Sequence, residues 1–306
     1  MANLKPKTLS AGSVIRIVAS CSPFSKPDFL KGVRLLESWG FKAKYQKNIF
    51  SKDKNNPYLA GSDQRRASEL ITALEDKGCD AILFARGGYG SMRLLPYLDK
   101  ISIPKKQKLI IGYSDITCLL NYFEQRFKWN VFYGPVVAKD LHAKANRATL
   151  QSFKNCLSQN SFEPIQVKNL KVLQKGKATG RLTGGCLSLI HSTLGTKYEL
   201  ETKGKILFLE DVNEKPYEID RMLTHLKLAG KFKNVKGLIF SLYKPNPDAH
   251  YIATLKDILS DVKVPTVFNF PAGHTKVKHC LPFGVRVELD AGEKKLSFLE
   301  SITKIN

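Results

Sequence analysis

Lys108-Leu-Ile-Ile-Gly-Tyr-Ser-Asp-Ile-Thr-Cys-Leu-Leu-Asn-Tyr-Phe123 holds the fold in miniature. Three apolar residues, Leu109 to Ile111, close on Gly112 and read as a buried strand. Past Tyr113-Ser-Asp115 the period becomes helical, with Ile116, Leu119, Leu120 and Phe123 on one face. A strand feeding a helix is the unit of a parallel α/β sheet. The turn between them carries Ser114, beside the positive end of the helix dipole, where a serine nucleophile would be mounted. An N-cap is the commoner use of serine there, and Ile116 stands where a G-x-S-x-G elbow has its second glycine. Cap and nucleophile both stay open on this stretch alone.

The chain around it repeats the alternation. Strands are expected over 13–19, 41–45 and 80–85, and helices over 28–39, 63–75 (capped by Ser62) and 91–98. This spacing predicts a mostly parallel sheet with right-handed crossovers and a site at the carboxyl ends of its strands. The second half reads as mixed. It has a strand over 205–209 ending in Glu210-Asp211, a helix over 217–228 and a strand over 235–240. A helix over 252–259, a strand over 266–270 and a hairpin from 285–289 and 295–299 follow. The expected organisation is an N-terminal Rossmann- or flavodoxin-like α/β/α domain over 1–157, a polar linker over 158–178, and a smaller mixed α/β domain over 179–306.

Composition narrows the function. The 306 residues include 43% hydrophobic ones, ample for packed cores. No run is long and apolar enough for a membrane span, and the start lacks the form of a signal peptide, so a cytoplasmic protein is expected. Six scattered cysteines without a C-x-x-C pair predict neither zinc nor disulfides. The net charge of +22 is spread along the chain, without an arginine-rich block. A lysine-rich solvated surface is the simpler reading than a nucleic-acid partner.

Arg86-Gly-Gly-Tyr-Gly90 follows the third strand. It lacks the third glycine of a dinucleotide fingerprint and the Gly-Lys-Ser/Thr of a P-loop. Its amides could serve an oxyanion, or the glycines could simply make a tight turn. A serine nucleophile also needs a base and an acid to orient it. His274, in Phe270-Pro-Ala-Gly-His274 after a buried strand, is the best-mounted histidine, and His279 is its nearest rival. Glu210, ending an apolar strand, is an odd carboxylate unless partnered; Asp211, Glu214 and Glu218 read as more exposed. The order Ser…Glu…His is one of the known triad orders.

Together these motifs resemble the LD-carboxypeptidase family of serine peptidases, which includes the microcin C immunity peptidases. The resemblance is nearly end to end. It rests on Val14 to Ala19, Ala85 to Pro96, Ile111-Gly-Tyr-Ser-Asp-Ile116, Leu182 to Leu189, Leu207-Phe-Leu-Glu-Asp211 and Phe270 to His274. It implies Ser114 as nucleophile, His274 as general base and Glu210 as the carboxylate orienting it. The oxyanion hole would be the amides of Asp115 and Gly88. Arg86, Gly87 and Tyr113 are the expected substrate-binding residues, although Arg86 and Arg93 could each equally be structural ion-pair partners. The implied reaction is hydrolysis of the bond between meso-diaminopimelate and a terminal D-alanine in cytoplasmic murein tetrapeptides. A homodimer is implied, and no cofactor or metal. An immunity-type peptidase acting on aminoacyl nucleotides is the alternative, but Trp39 and Trp129, the two tryptophans, lie outside the second-half loops. A binding protein without catalysis is the third reading, disfavoured by the presence of all three triad residues.

Overall fold

The computed structural model describes residues 3–243 and 250–305; residues 244–249, the Pro- and Asn-containing stretch before His250, lie outside the described residues. The first half delivers β1 (Val14–Val18), β2 (Lys42–Lys44), β3 (Ala81–Phe84), β4 (Leu109–Gly112) and β5 (Val131–Tyr133). They are parallel, in the order β2-β1-β3-β4-β5. This is the flavodoxin-like doubly wound order, with its crevice at the β1/β3 switch point. Helices α1 (Lys26–Ser38), α2 (Asp63–Glu75), α3 (Leu95–Leu98), α4 (Thr117–Arg126), α5 (Val137–Asp140) and α6 (Arg147–Ser158) accompany it. Every residue of β3 and β4 is buried, as continuous apolar runs in a sheet covered on both faces must be. Ser62 caps α2, its side chain accepting the Arg65 N–H at 3.2 Å.

The second half adds β6 (Ile165–Gln166), β7 (Lys171–Gln174), β8 (Lys177–Cys186), β9 (Lys205–Val212), β10 (Gly237–Tyr243) and β11 (Thr266–Phe268). After these come β12 (Leu281–Phe283), β13 (Arg286–Asp290) and β14 (Lys295–Phe298), with helices α7 (Leu187–Ser192), α8 (Pro216–Leu228) and α9 (His250–Ile258). The second sheet runs β6-β14-β13-β8-β9-β10-β11-β7, parallel from β8 to β11 and antiparallel outside. The structure departs from the sequence expectation in several places, β5, α5 and α6 being elements it did not include. The stretch read as a linker, 158–178, contributes β6 and β7 to this sheet. Strand β12 leaves it and pairs antiparallel with β5, at the edge of the first sheet. All three strands are too short to carry a readable period. No described helix is long and apolar enough to cross a membrane.

Strand parity sets what β9 presents to each side. Ile206 and Phe208 enter a core continuous with the first sheet, whereas Leu207 and Leu209 enter a second core beneath α7, α8 and α9. A period of two therefore turns Glu210 toward the first half and Asp211 toward α7. The strand runs three residues past its expected end, so both carboxylates lie within it.

Arg66 organises the loops at the carboxyl edge of the first sheet. It is fully buried. Its guanidinium donates to the carbonyls of Gly61 (3.2 Å), Ser20 and Gly90 (2.9 Å), and pairs with Asp63. Arg93 grips the same Asp63 at 2.8 Å. Replacing Arg66 with Met leaves those carbonyls without a donor. We expect a loss of about 3–5 kcal/mol of stability, measurable by urea denaturation, whereas Arg93→Met, at an exposed pair, should cost at most about 1 kcal/mol.

Candidate active site

Ser114 has a φ of +65°, a left-handed conformation uncommon for a non-glycine residue and a mark of a constrained position. Its side chain caps nothing. The 3₁₀ turn Ser114–Ile116 starts from Tyr113, and α4 starts from Ile116, neither with a side-chain cap. The backbone is held at both ends instead. The Ser114 N–H donates to Tyr133 Oη at 3.1 Å. The Ser114 carbonyl accepts from Thr117 Oγ1 at 2.6 Å, and that hydroxyl in turn accepts the Cys186 N–H of the second sheet at 3.0 Å.

Two glycine sites explain how the neighbouring segments come so close. A Cβ on Gly87 would lie 3.0 Å from Ser114 Cβ and 3.3 Å from its Oγ, so the Arg86–Gly90 loop passes directly against the serine. Gly88, at φ +108°, sits where any side chain would collide with Ser22. Its N–H has no hydrogen-bond partner among the described residues.

Glu210 and His274 meet as a pair. His274 Nδ1 lies 2.8 Å from Glu210 Oε2 and 3.1 Å from Oε1, and the His274 N–H also donates to Oε2 at 3.1 Å. Gly273, with φ +77°, precedes the histidine because a Cβ there would overlap the Glu210 carboxylate. Tyr133 Oη donates to Glu210 Oε1 at 2.6 Å. Burial, reinforced by the Glu210 charge, pushes the Tyr133 hydroxyl well above the usual phenol range, so it remains a donor. Glu210 is completely buried while His274 keeps partial access to solvent. The structure thus links Ser114, Tyr133, Glu210 and His274 in one hydrogen-bonded chain. Tyr133 ends β5, a strand that the sequence expectation did not include, and no motif marked it.

The remaining candidates sort by their surroundings. The Asp115 carboxylate is buried and accepts the Ser91 N–H at 2.8 Å. Tyr113 is 2% exposed and stands edge-on to the His274 ring at 5.1 Å, so it braces the histidine from behind. Arg86 is exposed and donates to the Pro23 carbonyl at 2.8 Å. Arg93 is the ion-pair partner of Asp63 described above. His279 is half-buried, and that burial depresses its basicity; among the described residues no bond joins it to Glu210. Asp211, read as exposed, is in fact buried and accepts the Ser188 N–H at 2.8 Å at the start of α7. Glu218 caps α8, accepting the Lys215 N–H at 2.7 Å. Glu214 is half-buried, and burial with the Asp211 and Glu218 charges pushes its carboxyl up to about 7.

A cavity of about 1050 Å³ opens beside Arg86 and is lined by Phe24, Lys31, Arg34, Lys139 and His142 among others. Neither Ser114 nor His274 lines it. It adjoins them through Arg86 and through Lys139, whose ammonium lies 6.0 Å from the Tyr113 ring centre. Among the described residues no group of three or more His, Cys, Asp or Glu could hold a metal ion.

Comparison with known proteins agrees with this arrangement. The family model described as the LD-carboxypeptidase N-terminal domain matches residues 15–134, and the one described as its C-terminal domain matches 179–289. The chain is similar to a probable murein peptide carboxypeptidase of Bacillus subtilis, 33% identical over 300 residues that span 95% of this chain and 93% of that protein. Its fold is similar to that of the microcin C7 self-immunity protein MccF in complex with aspartyl sulfamoyl adenosine. That match has a TM-score of 0.89 and 26% identity, and covers 98% of this chain and 100% of the other. It is also similar to a muramoyltetrapeptide carboxypeptidase from Oxalobacter formigenes, with a TM-score of 0.81, 25% identity, and coverage of 96% and 99%.

All six cysteines are buried and free. Burial pushes Cys21, Cys156 and Cys186 well above the usual thiol range and Cys118 up to about 12. The thiolate is the reactive form, so raised values suppress reaction at any pH below them. We expect Ellman's reagent to leave the native protein unmodified at about pH 8 and to titrate all six thiols after denaturation.

Proposed function

The chain belongs to the LD-carboxypeptidase family, and from that premise we propose that it is a serine carboxypeptidase of murein tetrapeptides. The bond cut is the one between the L-centre of meso-diaminopimelate and the terminal D-alanine. The observation that carries this reading is the Glu210 carboxylate on His274 Nδ1 at 2.8 Å, with the constrained Ser114 turn tied to the same carboxylate through Tyr133.

The chemistry follows from that arrangement. Glu210 accepts from Nδ1–H, which leaves Nε2 as the basic nitrogen to take the Ser114 proton. Ser114 Oγ attacks the scissile carbonyl, and the oxyanion falls toward the Asp115 and Gly88 amides. His274 then returns the proton to the departing amine of D-alanine. Water, deprotonated by the same nitrogen, releases the diaminopimelyl chain from the serine ester. Murein stem peptides carry several carboxylates, and the basic cavity beside Arg86 suits them. Arg34, Arg86 and Lys139 would hold the peptide away from the scissile bond. The same reading has the enzyme act as a cytoplasmic homodimer.

Hydrolysis of an aminoacyl nucleotide is the second reading. In its favour, Tyr58 and Tyr89 form an edge-to-face pair at 5.7 Å beside the glycine loop, each about half exposed (51% and 50%), and could take a flat base. Against it, Trp129 is fully buried and Trp39 packs on Phe153, so neither tryptophan offers a stacking face.

The deciding experiment incubates purified protein with L-Ala-γ-D-Glu-meso-Dap-D-Ala and measures free D-alanine. The wild type should release it, and Ser114→Ala and His274→Ala should each lose about 10⁴-fold or more in kcat. Arg86→Ala should chiefly raise KM. Gly273→Ala, which drives a methyl into Glu210, should approach the loss of His274→Ala. Absence of D-alanine from the wild type would exclude the murein reading, and release of amino acid from an aminoacyl sulfamoyl adenosine would then support the second.

A further inference from the structure

The serine stands on the first sheet and its base and acid on the second, so something must hold the two in register. We propose that Tyr133 is the positioning residue that does this, its hydroxyl joining the backbone of Ser114 to the carboxylate of Glu210. The inference rests on the serine-peptidase reading above and extends it to a residue outside the triad.

The polarity of the link is fixed by its ends. A backbone N–H can only donate and an ionised carboxylate can only accept. The Tyr133 hydroxyl must therefore receive from Ser114 and give its proton to Glu210, at 3.1 and 2.6 Å. Its position has no slack. Tyr133 is fully buried at the end of β5 and is stacked on Phe283 of β12 at 5.4 Å and 21°. Phe208 and Tyr113 crowd it edge-on at 5.6 and 6.2 Å. Its register partner across β12 is Leu281. The excursion of β12 from the second half into the first sheet thus forms one wall of the tyrosine's slot.

Two consequences follow for the reaction. The Ser114 amide is already engaged, so the oxyanion must find its donors at Asp115 and the glycine loop. The donated proton also draws charge from Glu210 and weakens its hold on the protonated imidazole. The other titratable or charged groups facing this pair are Tyr113 and Cys186, with Asp211 next in the chain and Asp140 and Lys278 behind Tyr113. None of these donates a hydrogen bond to Glu210 among the described residues.

The test compares wild type, Tyr133→Phe and Ser114→Ala as full chains. The first readout is D-alanine release across a pH series; the second is the rate at which a fluorophosphonate probe labels Ser114. Tyr133→Phe should lower kcat roughly 10- to 100-fold with KM changed less than about twofold, because the ring touches no substrate. Its acid limb in kcat/KM should move to higher pH, since a carboxylate relieved of one donor stabilises the imidazolium more. Its probe labelling should slow in step with kcat. An unmoved acid limb, or a loss confined to KM, overturns the proposal. Should Tyr133→Phe fail to fold, 3-fluorotyrosine at position 133 keeps the hydroxyl and the shape while strengthening its donation. The acid limb must then move to lower pH, and an unmoved limb overturns the proposal. A wild type that labels with the probe but releases no D-alanine would count against the murein reading alone, and the labelling rates across the same pH series would still decide the role of Tyr133.

Discussion

An ionised carboxylate without solvent must be surrounded by donors, and Glu210 is the place where this protein meets that demand. Its two oxygens take the Tyr133 hydroxyl, the His274 ring and the His274 amide. The tyrosine arrives from β5 and both histidine donors from the loop after β11, and each arrival shapes the fold. Gly273 is a glycine because the approach of the His274 loop leaves no room for a side chain against the carboxylate. Strand β9 has to present its odd member, Glu210, on the face that looks at the first sheet, and the alternation from Ile206 to Leu209 enforces that.

The junction between the halves is built to be stiff. One hydrophobic core runs from the first sheet into the second, including Phe132 and Tyr133 on one side and Phe208 and Ile239 on the other. Polar links reinforce it. Thr117 of α4 accepts the Cys186 amide. The buried Glu124 takes Lys205 at 3.1 Å, and Tyr198 Oη donates to Asp99 at 2.6 Å. At Gly185 a Cβ would overlap Thr117, and at Gly184 it would overlap the Phe208 carbonyl. Gly185 thus lets β8 approach α4 across the junction, and Gly184 lets it approach β9 within the second sheet. A reaction that needs a serine from one sheet and a histidine from the other profits from such rigidity, because a small misplacement of reacting groups costs rate steeply.

The basic character of the chain divides into two kinds. Arg66, Arg93 and Lys205 serve the fold by satisfying carbonyls and carboxylates. Lys31, Arg34, Arg86 and Lys139 instead gather on the wall of the cavity beside the glycine loop, where Asp28, already paired with Lys31 at 2.7 Å, is the one carboxylate among the described lining residues. A surplus of cations at a concave surface raises the local concentration of anionic ligands, so part of the +22 charge bears on what reaches the site.

Much of this was legible in the sequence. Periodicity and glycine placement located β1, β3, β4, α1, α2 and the terminal hairpin, because those signals are local. The resemblance carried by the glycine loop and the Ser114 turn identified the family, and the Pro-Ala-Gly-His loop singled out His274 over His279. Sequence alone left Ser114 divided between cap and nucleophile, since both uses favour serine at that place. It was the positive φ and the uncapped helix that set the cap aside. Nor could it find β5, β6, β7 and β12, whose two to four residues gain their structure only by pairing with other strands. Tyr133 stayed invisible for the same reason. Its chemistry depends on two partners, 19 and 77 residues away, and contacts of that range exist only once both sheets have closed around the same buried carboxylate.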